Sequence, residues 1–268
     1  MSLITNTIFF KIYTFFKKRY RSIKRNKIVI KKINGIYYEL QLNQEIDSNI
    51  YYNGYFEKYS TNAILKLVKT GMTVFDIGAN VGCHTLPMAQ LVGKTGRIVA
   101  FEPMEWPLKK LLRNINLNSF DNIRVEKTGL SDSSEIKTIN FKSSWTIDNS
   151  KVVDADEPIA VNFTTLDEYI KNNSINTVDF IKIDVDGYEP KVLSGAIKCL
   201  TEYKPTLLME FFENKKNLIL FLTSLGYEFY AETSFKLLLD PINENKTNNL
   251  IVVHKSKSKS SEFLTFNI

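Results

Sequence analysis

The apolar positions of this 268-residue chain follow two different periods. Residues 27–42 alternate apolar and polar side chains about Asn34-Gly35, the pattern of a hairpin closed by a two-residue turn. Residues 61–70 repeat at helical spacing instead, with Ile64, Leu65, Leu67 and Val68 on one side and Gly71 as the stop. The aromatic-rich stretch 50–57 between them reads as a connection. Beyond it, short apolar runs alternate with helix-length stretches, giving strands at 73–77, 97–101, 123–127, 178–184, 206–210, 228–231 and 249–254. This order predicts an α/β fold, doubly wound, with a mainly parallel seven-stranded sheet and ligands at the carboxyl ends of its strands. Residues 133–163 break the rhythm and read as an inserted hairpin or loop near the pocket.

One junction carries chemistry. The strand at 73–77 runs into Gly78-Ala79-Asn80-Val81-Gly82, a helix starts at about Gly82, and the next strand ends in Phe101-Glu102-Pro103. A dinucleotide loop is G-x-G-x-x-G, whose second glycine lets a pyrophosphate lie on the backbone. Here the turn is G-x-x-x-G, and Asp76 stands two residues before its first glycine. A fixed negative charge there repels a pyrophosphate but suits a ligand with an ammonium and a sulfonium, as S-adenosylmethionine has.

Charge divides the chain unevenly. Residues 1–32 hold ten of its 35 basic residues and no acid, leaving 25 basic against 29 acidic residues in the body. Ile4, Ile8, Ile12, Phe15 and Phe16 fall on one helical stripe just before the basic run. The segment is too short and too polar to span a bilayer, and its charges follow the apolar part, unlike a signal peptide. An amphipathic helix on an anionic membrane surface and a helix packed on its own domain or a second subunit both fit. Nucleic-acid binding has only the charge run behind it, without a stacking module. Domains are therefore expected at 1–32 (leader), 33–254 (main domain with its hairpin) and 255–268, a low-complexity tail. Cys83 and Cys199 have no C-x-x-C spacing, which points to a reducing, cytoplasmic setting, with the inner membrane face as an option through the leader.

Several segments together resemble the FkbM-type S-adenosylmethionine-dependent methyltransferases: 74–82, Phe101-Glu102-Pro103, Thr165-Leu166-Asp167-Glu168-Tyr169, Ile181-Lys182-Ile183-Asp184-Val185-Asp186-Gly187-Tyr188-Glu189, Gly195-Ala196 and 205–210. The resemblance covers roughly residues 50–230 and implies a class I methyltransferase (Rossmann-like) fold with methyl transfer to a hydroxyl, often on a sugar or polyketide. Gly78 and Gly82 would let the backbone approach the methionine part of the cofactor, with Asn80 between them and Asp76 either near the ammonium or orienting the turn. Glu102 would accept both ribose hydroxyls. Ser131 and Asp132 sit where the family's fold places adenine contacts, or form a plain turn. Glu57 either caps a helix or closes over the cofactor.

The expected chemistry lies after the fourth strand. Methyl transfer from a sulfonium is an in-line displacement, so the protein aligns the acceptor oxygen and removes its proton. Asp184, Asp186 and Glu189 are candidate bases, or two of them hold a divalent ion. On the plain reading, Glu189 caps the helix entered at Pro190 and Asp186 stabilises the turn. His84, at a helix start, is a further candidate catalyst, whereas His254 is read as structural. Glu210, Tyr188 and Trp145 are candidates for substrate binding. No N-P-P-Y or D-P-P-Y follows the fourth strand and no Pro-Cys pair occurs, so nitrogen and cytosine-carbon acceptors lose support. The expectation is O-methylation of a sugar in a surface glycan or glycolipid. Alternatives are another acceptor (natural product, lipid or RNA), a nicotinamide-dependent oxidoreductase, or a non-catalytic cofactor-binding module.

Overall fold

The computed structural model describes residues 27–139, 158–211, 215–243 and 249–258. Residues 27–56 form one compact unit, and the described residues of 57–139 and 159–258 a second. Most of the leader, residues 1–26, lies outside the described residues.

In the first unit, β1 (Ile28–Ile33) pairs antiparallel with β2 (Ile36–Gln41). Asn34 and Gly35 both have positive φ (51° and 87°), the turn whose twist matches the flanking strands. The expected hairpin is therefore present, and β1 includes residues 28–32, which the charge pattern had assigned to the leader. Helix α1 (Glu45–Asn53) corrects the expected connection at 50–57. Its apolar stripe is only Ile46 and Ile50, but Asp47 is buried as well, and its carboxylate accepts the Gln41 amide at 2.6 Å. Gly54, at φ 84°, ends the helix with its amide on the Ile50 carbonyl.

The second unit opens with α2 (Lys58–Leu67), three residues earlier than the periodicity predicts. The elements that follow are β3 (Thr73–Ile77), α3 (Thr85–Val92), β4 (Arg97–Phe101), α4 (Glu105–Asn118), β5 (Ile123–Glu126), β6 (Gly129–Leu130), β7 (Glu135–Ile139), β8 (Ile159–Thr164) and α5 (Leu166–Asn172). Then come β9 (Phe180–Ile183), α6 (Glu189–Ser194), α7 (Ile197–Glu202), β10 (Thr206–Glu210), α8 (Lys215–Ser224), β11 (Tyr227–Ala231), β12 (Asn249–His254) and α9 (Lys255–Ser258). The last helical turn occupies residues the composition assigned to the tail.

Seven strands form one sheet in the order β11-β12-β10-β9-β3-β4-β5, with β12 antiparallel to both its neighbours. The chain moves outward from β3 through β4 to β5, then returns to β9 on the other side of β3 and moves outward through β10. Right-handed crossovers running in opposite directions put helices on opposite faces, and the order reverses between β3 and β9, where a crevice opens. β3 is buried along its whole length. On one side Tyr169 packs edge to face on both Phe75 and Phe101, with the Phe101 centroid 4.8 Å away. Burying each such ring contributes about 1.5–3 kcal/mol. The interruption at 133–163 is in part a hairpin: β7 and β8 pair antiparallel, and β6 adds to β8 as a third strand. Its centre, residues 140–157, lies outside the described residues and takes Trp145 with it.

Candidate functional site

The glycine turn leaves β3 at the point where the strand order reverses. Gly78, Asn80 and Gly82 all have positive φ (83°, 50° and 90°), so the chain coils tightly before α3. Gly78 also has a packing reason. A Cβ there would lie 1.9 Å from the Asp184 carbonyl oxygen, so the missing side chain lets the β9 end approach. A Cβ on Gly82 would meet the Leu111 side chain of α4 at 2.7 Å, which makes this glycine a packing requirement too. Asp76 is fully buried and accepts the Thr85 hydroxyl at 2.6 Å, tying the end of β3 to the first turn of α3. Its second oxygen accepts no hydrogen bond among the described residues and faces the Lys182 ammonium at 3.8 Å. Burial pushes the Asp76 carboxyl up, against the pull of Lys182.

Glu102 follows β4 and is 5% exposed. Its two carboxylate oxygens accept the backbone amides of Asn80 and Met104, each at 2.8 Å. The turn thus aims this carboxylate and fixes its rotamer. Burial pushes it up to about 7, while the two amides act in the opposite direction. A carboxylate fixed in this way, with lone pairs left over, is what a vicinal ribose diol needs. The residues therefore fit the nucleoside half of S-adenosylmethionine.

Beyond β9 the loop turns on Asp186 and Gly187, both at positive φ (50° and 96°), with the Tyr188 amide donating to the Val185 carbonyl. This is the same two-residue turn chemistry as Asn34-Gly35. Asp186 is exposed on it. Glu189 is 2% exposed, and its carboxylate accepts the Val185 amide at 3.0 Å. That bond makes Glu189 the clamp of the loop rather than a cap of α6, whose N-cap position is Tyr188 with no side-chain cap bond, and a proton acceptor needs a more exposed carboxylate.

Asp184 is such a carboxylate. Its amide donates to the Ile77 carbonyl, continuing the ladder, and its side chain is 32% exposed. Lys182, buried on β9, donates to it at 3.0 Å. Burial works to raise Asp184, but the Lys182 ammonium outweighs it, and the carboxyl is held below its ordinary value. The same ammonium, drawn by Asp184 and Asp76, is held above its ordinary value although burial opposes this. Sequence reasoning gave Lys182 no role. The available signal was a lone lysine in an otherwise apolar strand, Phe180-Ile181-Lys182-Ile183, which stays buried only when paired.

Glu210 ends β10, the strand beside β9. Continuing the Met209–Ile183 register places it beside Asp184. Burial, and then the negative charge of Asp184, Glu189, Glu57 and Asp186, push Glu210 up to about 7. Glu57 stands before α2 in the left-handed region (φ 47°) and makes no side-chain cap, so the capping alternative is not what the structure shows. Lys182 and Asp184 act on its carboxylate, which puts Glu57 electrostatically within this cluster.

The remaining candidates are placed by their contacts. His84, 2% exposed, precedes α3 with Nδ1 3.8 Å from the Cys83 sulfur, and its field reaches Asp184. Ser131 is buried, donates its amide to the Thr164 carbonyl and its hydroxyl to Asp132. Tyr188 stacks on Phe163 with centroids 5.6 Å apart, and the Lys191 ammonium lies over the Tyr188 ring, 4.8 Å from its centroid. His254 bonds Ser256 and packs on Tyr227, consistent with a structural role. Among the described residues no group of three or more His, Cys, Asp or Glu is arranged to hold a metal ion, and no divalent site is assigned.

Comparison with known proteins agrees with this geometry. The model of the methyltransferase FkbM domain matches residues 76–229, more than half of the chain. A model of protein-L-isoaspartate(D-aspartate) O-methyltransferase matches residues 16–132. No curated protein matches in sequence. Among solved structures, the chain is similar to a methyltransferase FkbM from Methylobacillus flagellatus at 18% identity, covering 76% of this chain and 50% of that one, with a TM-score of 0.49. It therefore spans half the length of that relative. It is also similar to Aeropyrum pernix fibrillarin with bound S-adenosyl-L-methionine (16% identity, 85% and 83% covered, TM-score 0.46) and to an rRNA methylase from Streptococcus thermophilus (13% identity, 72% and 91% covered, TM-score 0.42). The seven-stranded sheet order is that of the class I methyltransferases, and the family match favours a methyltransferase over a nicotinamide-dependent oxidoreductase. The chain belongs to the FkbM family of S-adenosylmethionine-dependent methyltransferases.

Proposed function

We propose that this protein is an O-methyltransferase that acts on a sugar hydroxyl in a surface glycan or glycolipid. The observation that carries this is the pair Asp184 and Glu210, side by side in register at the carboxyl ends of neighbouring strands, beside the glycine turn. A sugar hydroxyl has a pKa far above neutrality, so its oxygen needs a proton acceptor at the moment of attack. S-adenosylmethionine, when bound, supplies an electrophilic methyl group on a sulfonium. Glu102 holds the ribose, Asp76 and Thr85 keep the turn in shape, and the Asp184–Glu210 pair orients the hydroxyl and takes its proton. The excess of carboxylates here, Glu57, Asp184, Asp186, Glu189 and Glu210 around Lys182, repels a phosphate-rich acceptor and so supports a glycan over RNA.

Docking at an anionic membrane surface through residues 1–32 fits an acceptor carried on a lipid. Among the described residues no helix is long and apolar enough to cross a membrane. Mass spectrometry of surface glycans from cells with and without the chain tests the acceptor. A glycan that gains one methyl group only when the chain is present supports the proposal, and one methylated nucleoside in RNA with unchanged glycans contradicts it.

A further inference from the structure

β9 is the middle strand of the seven, and all four of its residues are buried. Three are apolar, as a strand covered on both faces requires, and the fourth is Lys182, whose side chain is 6% exposed. Its partner across the β3–β9 ladder is Asp76, while Asp184, whose amide continues that ladder to Ile77, lies two residues further along β9. The three side chains therefore share one face of the sheet. The ammonium stands between the two carboxylates, donating to Asp184 Oδ2 at 3.0 Å and facing Asp76 Oδ1 at 3.8 Å. Asp76 is sealed at the end of β3 with its Oδ2 on the Thr85 hydroxyl, whereas the Asp184 side chain is 32% exposed. One cation thus links a buried carboxylate to one that reaches the crevice. A methionine would fill the same space without the cost of burying an ammonium.

Resting on the methyltransferase reading above, we propose that Lys182 is a positioning residue for methyl transfer, which from behind the site holds the Asp184 carboxylate charged and in one orientation toward the acceptor hydroxyl. A carboxylate without a fixed partner turns about its side-chain bonds. One held at Oδ2 by a buried ammonium keeps its remaining lone pairs in a set direction, and an in-line displacement depends on how the attacking oxygen is aligned with the methyl group. Without the ammonium, Asp76 and Asp184 face each other with no counter-ion between them, and each strengthens the other's hold on a proton. The other titratable groups that face Lys182 are Cys83 before α3 and Glu57 before α2, and those that face Asp184 are His84 before α3 and Glu210 at the end of β10. Among these, Lys182 carries the fixed positive charge.

Lys182→Met removes the charge and the donor, and Lys182→Gln removes the charge but keeps a donor, so either one that folds serves as the test. Binding of S-adenosylhomocysteine by calorimetry shows that the site is intact and should stay within a few fold of the wild type. Two further measurements separate positioning from support of the fold. Carbon NMR of protein labelled at its aspartate carboxyls, with the Asp184 signal assigned through Asp184→Asn, follows the charge of that group without any acceptor. Its titration should move to higher pH in both variants. Transfer of labelled methyl from saturating S-adenosylmethionine into an extract of cells that lack the chain should fall by about tenfold or more, the scale of effect expected when a reacting group is misaligned. An unmoved Asp184 titration, or transfer at the wild-type rate by a variant that binds S-adenosylhomocysteine, overturns the proposal and leaves the methyltransferase reading intact. A loss of S-adenosylhomocysteine affinity as large as the loss of rate also overturns it, because Lys182 then supports the donor site. A wild type that neither binds S-adenosylhomocysteine nor methylates the extract overturns both.

Discussion

Glu102 and Glu210 each stand at the carboxyl end of a strand in one sheet, and both carboxyls are pushed up to about 7. Their surroundings differ. Glu102 is opposed to its own burial by two backbone amides from the turn, each at 2.8 Å, so its oxygens are aimed and its charge is supported. Glu210 has burial plus the like charge of Asp184, Glu189, Glu57 and Asp186, and its neighbour across the strand register is another carboxyl. Equal shifts therefore mark unequal jobs. A carboxylate held by amides is a fixed acceptor for a ligand's hydroxyls, while one crowded by other carboxylates is a place to put a proton.

The two halves meet at Gly78. Gly78→Ala would put a Cβ 1.9 Å from the Asp184 carbonyl at a φ of 83°, forcing the turn and the β9 end apart. It should cost about 3 kcal/mol or more in denaturant unfolding, combining overpacking with the left-handed backbone. Near-wild-type stability would mean the halves are not braced against each other.

Glu232 separates burial from crowding. It follows β11, is 5% exposed, accepts the Ser60 hydroxyl at 3.0 Å, and is pushed up to about 7 chiefly by burial. An acid raised in the folded state holds its proton there after the unfolded chain has lost it, so its contribution to stability falls as pH rises from about 4.5 to about 7. Glu232→Gln removes that loss and should gain about 2 kcal/mol over the wild type at pH 8 relative to pH 5, read by unfolding at both values. Loss of stability at pH 8 would show that the charge is needed.

Glu189→Gln affects only the crowded half. The loop loses the carboxylate that accepts the Val185 amide, and the protein should lose about 1 kcal/mol of stability, seen as a lower Tm, while cofactor affinity stays within a few fold. A large loss of affinity would place Glu189 at the ligand rather than in the loop.

These contrasts were only partly legible in the sequence. The strands Thr73–Ile77, Arg97–Phe101, Thr206–Glu210 and Asn249–His254 coincide with the apolar runs, because strands buried on both faces write themselves as continuous apolar stretches, whether parallel or antiparallel. Asn34-Gly35 announced its turn through local backbone chemistry alone. Helix α1 did not announce itself, since its buried Asp47 is explained only by the Gln41 amide of the preceding strand. In the site, the turn and Glu102 followed from spacing along the chain. The purpose of Gly78, the pairing of Lys182 and the clamp made by Glu189 depend on which strand or loop lies alongside, and no spacing encodes that. Trp145 and residues 1–26 lie outside the described residues. The leader's expected behaviour is checked by sedimenting the protein with anionic vesicles at low salt, where removal of residues 1–26, which leaves β1 intact, should abolish binding and leave cofactor affinity unchanged.

The most direct measurement sets Glu102→Gln beside Glu210→Gln and determines S-adenosylhomocysteine affinity and methyl transfer to the identified acceptor for each. The account predicts a crossed result. Glu102→Gln should weaken the ligand by about 1–3 kcal/mol, while Glu210→Gln should bind it within a few fold of wild type and lose about a hundredfold or more in turnover. If both variants weaken the ligand alike and transfer at similar rates once saturated, the two glutamates do one job and the account is wrong.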